Sequence, residues 1–322
     1  MSLPTVTVVV PNYNHGKYLP AALKALFSQS VPPTDVVVID DASTDNSWEV
    51  LDGLARQYPG VRVFRNEKNR GVNFTLNRGI ELARGEYVLL SAADDEVMPG
   101  IFEKSLRLLA EHPGVGLSCG ISEWREKFSG LTWHMPPKLA DRPSHFSPDE
   151  MIGLGRQRKL YIICSNALMR TDRLREMGGL VEELRWHADW FANYVIGFRY
   201  GICFVPEILS VANLLEQSYF QKGSKGEEHQ RVLLKLLELL NSPEYADVMP
   251  RIRAAGELAL FGTPMWNLLR SRPEFRHFIN LTLRRKMLLR RTEMWVKRNL
   301  PGWLKNLGLK WFYRHSPRLA AG

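Results

Sequence analysis

Cysteine is scarce in this chain, with three in 322 residues. Three thiols cannot all pair, and Cys119, Cys164 and Cys203 lie far apart with no C-x-x-C among them. A disulfide framework is thereby excluded, and neither a structural zinc site nor a thioredoxin-like motif gains support. Each cysteine reads as a small core residue in a reducing cytosol. Long hydrophobic runs are also missing. No apolar stretch approaches the roughly 18 residues a spanning helix needs. The β-branched run Val6 to Val10 follows an uncharged start, which is not a secretory signal. The expectation is a soluble or peripheral protein. Two glycine signatures are absent as well: no G-x-x-x-x-G-K-[ST] occurs, and no G-x-G-x-x-G follows the first apolar run. A P-loop NTPase and a dinucleotide-binding fold lose their support with them.

What is present is an ordinary globular composition, 45% hydrophobic and 24% charged, at a length that suits one large domain with an appendage or two smaller ones. The net charge is +9, but from Arg270 onward 14 Lys and Arg face 2 Asp and Glu, which leaves 29 against 32 before it. A mildly acidic body carries a strongly basic tail. A basic total raises nucleic acid as a partner, yet no recognised binding module accompanies it, so none is expected.

The first hundred residues alternate between short apolar strands and amphipathic helical stretches, the pattern of a parallel sheet with covering helices. Strands are expected at Thr5 to Val10, Asp35 to Asp40, Val61 to Arg65 and Glu86 to Leu90. Helices are expected at Tyr18 to Ser28, from near Asp45, at Val72 to Ala83, and from Pro99 through Glu111, with Ser43 and Thr44 placed to cap the second. In such a sheet every strand's C-terminal end lies on one edge, where ligands bind. Four loops deliver polar residues there: Asn12, Tyr13 and Asn14; Asp40 and Asp41; Asn66, Asn69 and Arg70; Asp94 and Asp95. Asn and Asp are common turn formers, so any single loop has a plain structural reading. Adjacent carboxylates at two strand ends resist that reading, because they repel unless a divalent metal or a donor-rich ligand lies between them.

The run Val-Val-Pro-Asn-Tyr-Asn is followed by Val-Val-Ile-Asp-Asp-Ala-Ser-Thr-Asp-Asn-Ser and by Asn-Arg-Gly-Val-Asn-Phe-Thr-Leu-Asn-Arg-Gly. Then comes Ala-Arg-Gly-Glu-Tyr-Val-Leu-Leu-Ser-Ala-Ala-Asp-Asp. In order and spacing this resembles the family 2 glycosyltransferases of GT-A fold, over residues 4 to about 115 and more loosely to about 215. The resemblance implies an α/β fold with an open, mostly parallel sheet and helices on both faces. It also implies a hexosyl- or N-acetylhexosaminyl-transferase that moves a sugar, with inversion, from a nucleotide-diphosphate sugar, a UDP-sugar first, to a hydroxyl acceptor. By that resemblance Pro11, Tyr13 and Asp41 would face the nucleotide base and ribose, with Arg70 near the base. Asp94, with Asp95 beside it, would hold Mn²⁺ or Mg²⁺ on the diphosphate, and carboxylate oxygen is the correct hard ligand for either. A nucleotidylyltransferase is disfavoured, since no Gly-rich, Arg-containing loop follows the first strand.

From about Gly120 to Ser147 the periodicity lapses, and Trp124, Trp133, His134, Pro136, Pro137 and Pro143 gather. A long irregular loop is expected there, its tryptophans serving either sugar rings or attachment to the body. Ile162 to Met169 reads as a strand, Arg170 starts a short helix ending at Gly178-Gly179, and Ile202 to Val205 reads as another strand. Between them, Leu184-Arg-Trp-His-Ala-Asp-Trp-Phe is similar to the family segment whose acidic pair opens a helix. The resemblance makes Asp189 the catalytic base and assigns Trp186, His187 and Trp190 to the acceptor region; the plain alternative for Asp189 is dipole stabilisation in a first helical turn. Three places depart from the family pattern. Ala92 replaces the first Asp of the metal motif, Ala188 replaces a Glu, and Leu209-Ser-Val-Ala-Asn-Leu-Leu lacks the usual Arg and metal-binding His. These departures carry the alternative of a non-catalytic module that binds nucleotide sugar or a membrane partner. No Q-x-x-R-W occurs, against a processive synthase.

The expected organisation is a transferase domain over residues 1–222, with its nucleotide-sugar half to about 115 and its acceptor half after that, and a helical extension over 223–322. The extension's basic tail includes Phe275, Phe278, Trp295, Trp303, Trp311 and Phe312, and Arg284, Arg291, Arg298 and Lys305 recur every seventh residue. Such a tail suits the anionic inner face of a bacterial cytoplasmic membrane, where acceptors for cell-envelope polysaccharide biosynthesis reside; a solvated helical cap is the alternative.

Overall fold

Val6–Asn12 (β1), Asp35–Asp40 (β2) and Tyr87–Leu90 (β4) are buried along nearly their whole length, while Val61–Arg65 (β3) is only half-buried. Continuous apolar runs without alternation mark strands covered on both faces, as in a parallel sheet. The computed structural model, which describes residues 2–126, 132–136, 138–214 and 226–299, has that arrangement. β1 pairs in parallel with β2 and β4, and β2 with β3. Leu19–Phe27 (α1), Ser47–Gln57 (α2) and Ile101–Glu111 (α4) pack with Val8, Val10, Val36 and Val38 on one face. On the other face Val72–Leu82 (α3) packs its Leu76 and Ile80 with Val9, Val37 and Ile39.

Glu96–Val97 (β5), Leu117–Glu126 (β6), Thr132–Met135 (β7), Ser144–Phe146 (β8), Leu168–Arg170 (β9) and Ile202–Leu214 (β10) complete a ten-stranded sheet. Its order is β3-β2-β1-β4-β9-β6-β10-β5, with β7 on β6 and β8 on β10. β9 runs antiparallel to both β4 and β6, so the sheet is parallel on the donor side and mixed beyond it. Pro148–Arg156 (α5), Thr171–Glu176 (α6) and Ala188–Tyr200 (α7) lie in this half. α5 begins with a reciprocal cap between Ser147 and Glu150.

Several expectations are corrected here. The stretch expected to be an irregular loop carries β6, β7 and β8, and Trp124 and Trp133 are partners across the β6–β7 register with stacked rings 6.0 Å apart. Cross-strand aromatic pairing explains those tryptophans. The strand expected at Ile162 to Met169 is only the three residues of β9, preceded by a short 3-10 turn at Cys164–Asn166. β10 continues beyond Val205 through register shifts between Val205 and Ser210. Ser43 does not cap α2; Asp45 accepts from the Ser47 amide at 3.0 Å instead.

The helices after residue 226 share the body's core. Gly226–Leu240 (α8) buries Leu233, Leu236, Leu237 and Leu240 completely. At about 2 kcal/mol for each buried leucine, these outweigh the exposed ion pairs Arg185–Glu228 and Lys235–Glu183, which contribute about 0.2–1 kcal/mol apiece. Met249–Ala255 (α9) crosses α5 so closely that a Cβ on Gly155 would sit 2.7 Å from that of Ala255. Gly262–Ser271 (α10) and Leu281–Asn299 (α11) follow. α11 is held by two buried ion pairs, Lys286 to Glu257 at 2.8 Å and a two-pronged contact between Arg158 and Glu293. Trp303, Lys305, Trp311 and Phe312 of the expected basic tail lie outside the described residues.

Removing one partner of a buried pair leaves the other charge uncompensated, so Glu293→Ala should lose about 3–5 kcal/mol of stability. Arg158→Met combined with Glu293→Leu should recover most of it. Urea unfolding followed by circular dichroism tests both, and an unchanged midpoint for Glu293→Ala would remove the pair from the fold's support.

Candidate functional site

The C-terminal edge of the parallel strands gathers the four expected loops. Asn12 and Asp40 are register partners at the ends of β1 and β2, and both side chains are buried. Asp40 accepts from Asn12 Nδ2 at 2.9 Å, from the Ser43 amide at 3.1 Å and from the Ser43 hydroxyl, and Arg65 Nε lies 3.2 Å away. Ala42 reaches this geometry with φ of 58° and Asn14 with φ of 56°. Positive φ at Ala42 is strained and persists where surrounding bonds over-determine it.

Asp41 turns the other way. Its carboxylate accepts from Asn66 Nδ2 at 2.7 Å and from the amides of Arg70 and Gly71 at 2.9 and 2.8 Å, which ties the loop after β3 to the end of β2. The two neighbouring carboxylates thus avoid repulsion through donors of the protein itself, and no metal is required between them. Arg70 stacks its guanidinium 4.0 Å from the centre of the Phe74 ring. Pro11 is partly buried, and Tyr13 is 44% exposed at the mouth of the same edge.

The second carboxylate pair differs. Asp94 and Asp95 are partly exposed in the turn before β5. Among the described residues the Asp94 carboxylate has no hydrogen bond or ion pair, and Asp95 has one long contact, from the Asn213 amide at 3.3 Å. Burial, and then the Asp94 charge, push Asp95 up to about 7. Asn213, on β10, also donates from Nδ2 to the Asp94 carbonyl at 2.8 Å. Its own side-chain oxygen is buried without a partner among the described residues. No three His, Cys, Asp or Glu side chains gather into a cage among the described residues. The donor set here is two carboxylates and an amide, all hard oxygen, which fits Mg²⁺ or Mn²⁺.

Asp189 occupies the first turn of α7 and is partly exposed. Burial raises its carboxyl to about 6, against which its bond from the Trp190 amide, 2.7 Å long, acts only partly. Arg185, at φ of 48°, makes the kink that precedes it; its carbonyl accepts from Asn73 and its side chain pairs with Glu228. The rings assigned to the acceptor region by the resemblance lie in a packed layer. Trp186, His187 and Trp190 are each 8% exposed. His187 and Trp190 each meet Phe261 edge-on at 4.8 Å, and His187 also lies 5.5 Å from His229. Burial, together with His229, holds His187 down at about 3, so it is neutral at working pH.

Two residues join the halves, and sequence reasoning missed both roles. The Cys164 thiol, raised by burial, is raised further by the charges of Asp189 and Asp95. Cys119 and Cys203 are buried core residues as expected. Asn213 is the other, brought to the crevice by the unforeseen length of β10. Behind Cys164, Asn166 donates to the Gly120 carbonyl and to Ser210, which bonds Ser122 at 2.9 Å, so the turn is fastened to β6 and β10.

The family model for glycosyl transferase family 2 matches residues 7–178, which hold all four donor-side loops; Asp189 and Asn213 lie beyond it. The uncharacterized glycosyltransferase YibD of Escherichia coli K12 is 27% identical over 252 residues, covering 75% of this chain and 72% of YibD. GlyG of Streptococcus pneumoniae, a glycosyltransferase, is 38% identical over 98 residues, 30% of this chain and 33% of that protein. Among solved structures, S. aureus TarS 1–349 in complex with UDP-GlcNAc superposes with a TM-score of 0.62 at 18% identity, covering 91% of this chain and 81% of that one. The mannosyltransferase PcManGT from Pyrobaculum calidifontis, in complex with GDP-Man and Mn²⁺, gives 0.56 at 19% identity over 89% and 86%. These likenesses carry the fold, and the family match covers more than half of the residues: the chain belongs to glycosyl transferase family 2 and is a glycosyltransferase.

Proposed function

We propose that this glycosyltransferase moves a sugar, with inversion, from a UDP-sugar to a hydroxyl of a cell-surface glycan or its lipid-linked precursor. The observation that carries the reading is the contrast between the two carboxylate pairs. Asp40 and Asp41 are saturated by the protein's own donors, whereas Asp94 and Asp95 have almost none among the described residues. The sight of UDP-GlcNAc on TarS supports a uridine donor, and the Mn²⁺ in PcManGT supports a metal-assisted route.

In this scheme Tyr13, Pro11 and the loop that Asp41 fastens to Arg70 receive the nucleoside. Asp94 and Asp95 hold a divalent cation, which when bound stabilises the charge growing on the leaving diphosphate. Asp189 accepts the proton of the acceptor hydroxyl as that oxygen bonds to the anomeric carbon and the bond to diphosphate breaks. A single displacement with one base inverts the centre. A carboxyl at about 6 is ionised at neutral pH yet more basic than an exposed aspartate, which suits proton abstraction. The buried rings of Trp186, His187 and Trp190 then serve as the rigid backing that aims Asp189.

Membrane contact is proposed through α11. Its inner charges, Lys286 and Glu293, are used up in buried pairs, while Arg284, Arg285 and Arg291 are exposed. Leu288, Met294 and Trp295 are exposed beside them at 66%, 45% and 59%. Arg290, Arg291, Met294 and Trp295 border a cavity of about 320 Å³. Cations next to apolar and indole groups suit an anionic leaflet, each cation contributing about 1 kcal/mol. No helix among the described residues is long and apolar enough to cross a membrane.

Asp189→Asn should lower turnover by about 10²–10⁴-fold with donor binding retained; equal turnover would remove Asp189 from the chemistry. For the wild type at saturating Mn²⁺, protonation of Asp189 takes away the base, so kcat/KM should fall as pH drops through about 6. His187, already neutral, adds no second step there, and a profile flat down to pH 5 would contradict the assignment. Vesicle co-sedimentation tests the membrane contact: binding should require anionic lipid, weaken with salt and be lost in Arg284→Glu/Arg291→Glu. Equal binding to neutral vesicles would argue against it.

A further inference from the structure

We propose that the side-chain oxygen of Asn213 is the third protein ligand of the divalent cation held by Asp94 and Asp95. The inference rests on the reading that those two carboxylates bind the cation, and adds to it a residue that a search for His, Cys, Asp and Glu passes over.

β10 brings Asn213 to the place. Ser210 and Val211 pair with Val97 and Glu96 of β5, and two residues further on Asn213 lies against the Asp94–Glu96 turn. Its amide is oriented without ambiguity. Nδ2 lies 2.8 Å from the Asp94 carbonyl and 3.5 Å from Glu96 Oε1, both acceptors, so that arm must be the nitrogen. The backbone N–H of the same residue donates to Asp95 Oδ1 at 3.3 Å. The remaining arm is an acceptor, buried, with no donor among the described residues. Buried acceptors of this kind are rare and call for a partner. Asp94, whose backbone carbonyl receives Nδ2, has a carboxylate with no partner among the described residues either.

A partner that serves these oxygens must be positive and accept hard donors, which describes Mg²⁺ or Mn²⁺ and excludes a further carboxylate or phosphate alone. An amide oxygen supplies a ligand without adding a third negative charge. The net charge of the loaded site thus stays near zero before the diphosphate arrives, and donor oxygens and water can complete the octahedron.

The test is Mn²⁺ binding read by electron paramagnetic resonance, with Mn²⁺ alone and with Mn²⁺ plus UDP, on folded protein checked by thermal melting. Asn213→Ala should weaken Mn²⁺ binding by about tenfold or more. Asn213→Asp keeps an oxygen but loses the Nδ2 donor, and should bind Mn²⁺ at least as tightly as wild type. If both variants weaken alike, Asn213 serves only to hold the Asp94 backbone, and if neither changes it is no ligand; either result overturns the inference. Failure of the underlying reading looks different: wild type would not bind Mn²⁺, or Asp94→Ala would bind it as wild type does.

Discussion

The parallel half of this enzyme is organised around one fully buried carboxylate. Asp40 ends β2, between β1 and β3, with no solvent to stabilise it, so its oxygens must be met by Asn12 from β1, Ser43 from the following turn and Arg65 from β3. A buried carboxylate without such partners would be strongly destabilising. Its compensation locks three strand ends and one loop into a single geometry, and the positive φ of Ala42 is a consequence of that demand. With Asp40 satisfied from inside, Asp41 is left to fasten the loop carrying Arg70.

The same logic, applied at the next strand end, separates scaffold from site. Carboxylates that the protein saturates are architectural, and carboxylates it leaves short of donors are the candidates for holding a ligand. Asp94 and Asp95 belong to the second kind. Asp189 is intermediate: one amide bond steadies it, and burial raises its proton affinity. The aromatic layer of Trp186, His187, Trp190 and Phe261 excludes water behind it.

The parallel half was largely legible in the sequence, because strands buried on both faces are plain β-branched runs; the ends of β2 and β3 match the expected residues. Local rules failed where a distant group took over. Ser43 has a capping side chain, but Asp40 recruits it first. Trp124 and Trp133 looked like loop aromatics because their partnership joins two different strands and is invisible to periodicity. The length of β10 was hidden by its register shifts, which interrupt the alternation that a strand is recognised by. That one miss concealed Asn213. Cys164 was read as core because nothing in a single thiol reveals which charges a fold will make it feel.

The buried pair of Arg158 and Glu293 divides α11 into faces with different freedom. Inward, Leu283, Met287, Lys286 and Glu293 are fixed by packing and charge balance, and a change in one demands a matching change elsewhere. Outward, Arg284, Leu288, Arg291 and Trp295 touch little and can be exchanged with small effect on the fold. Substitutions can therefore change the charge and apolarity of a single helical surface, residue by residue, while the buried pairs that hold α11 to the body stay untouched.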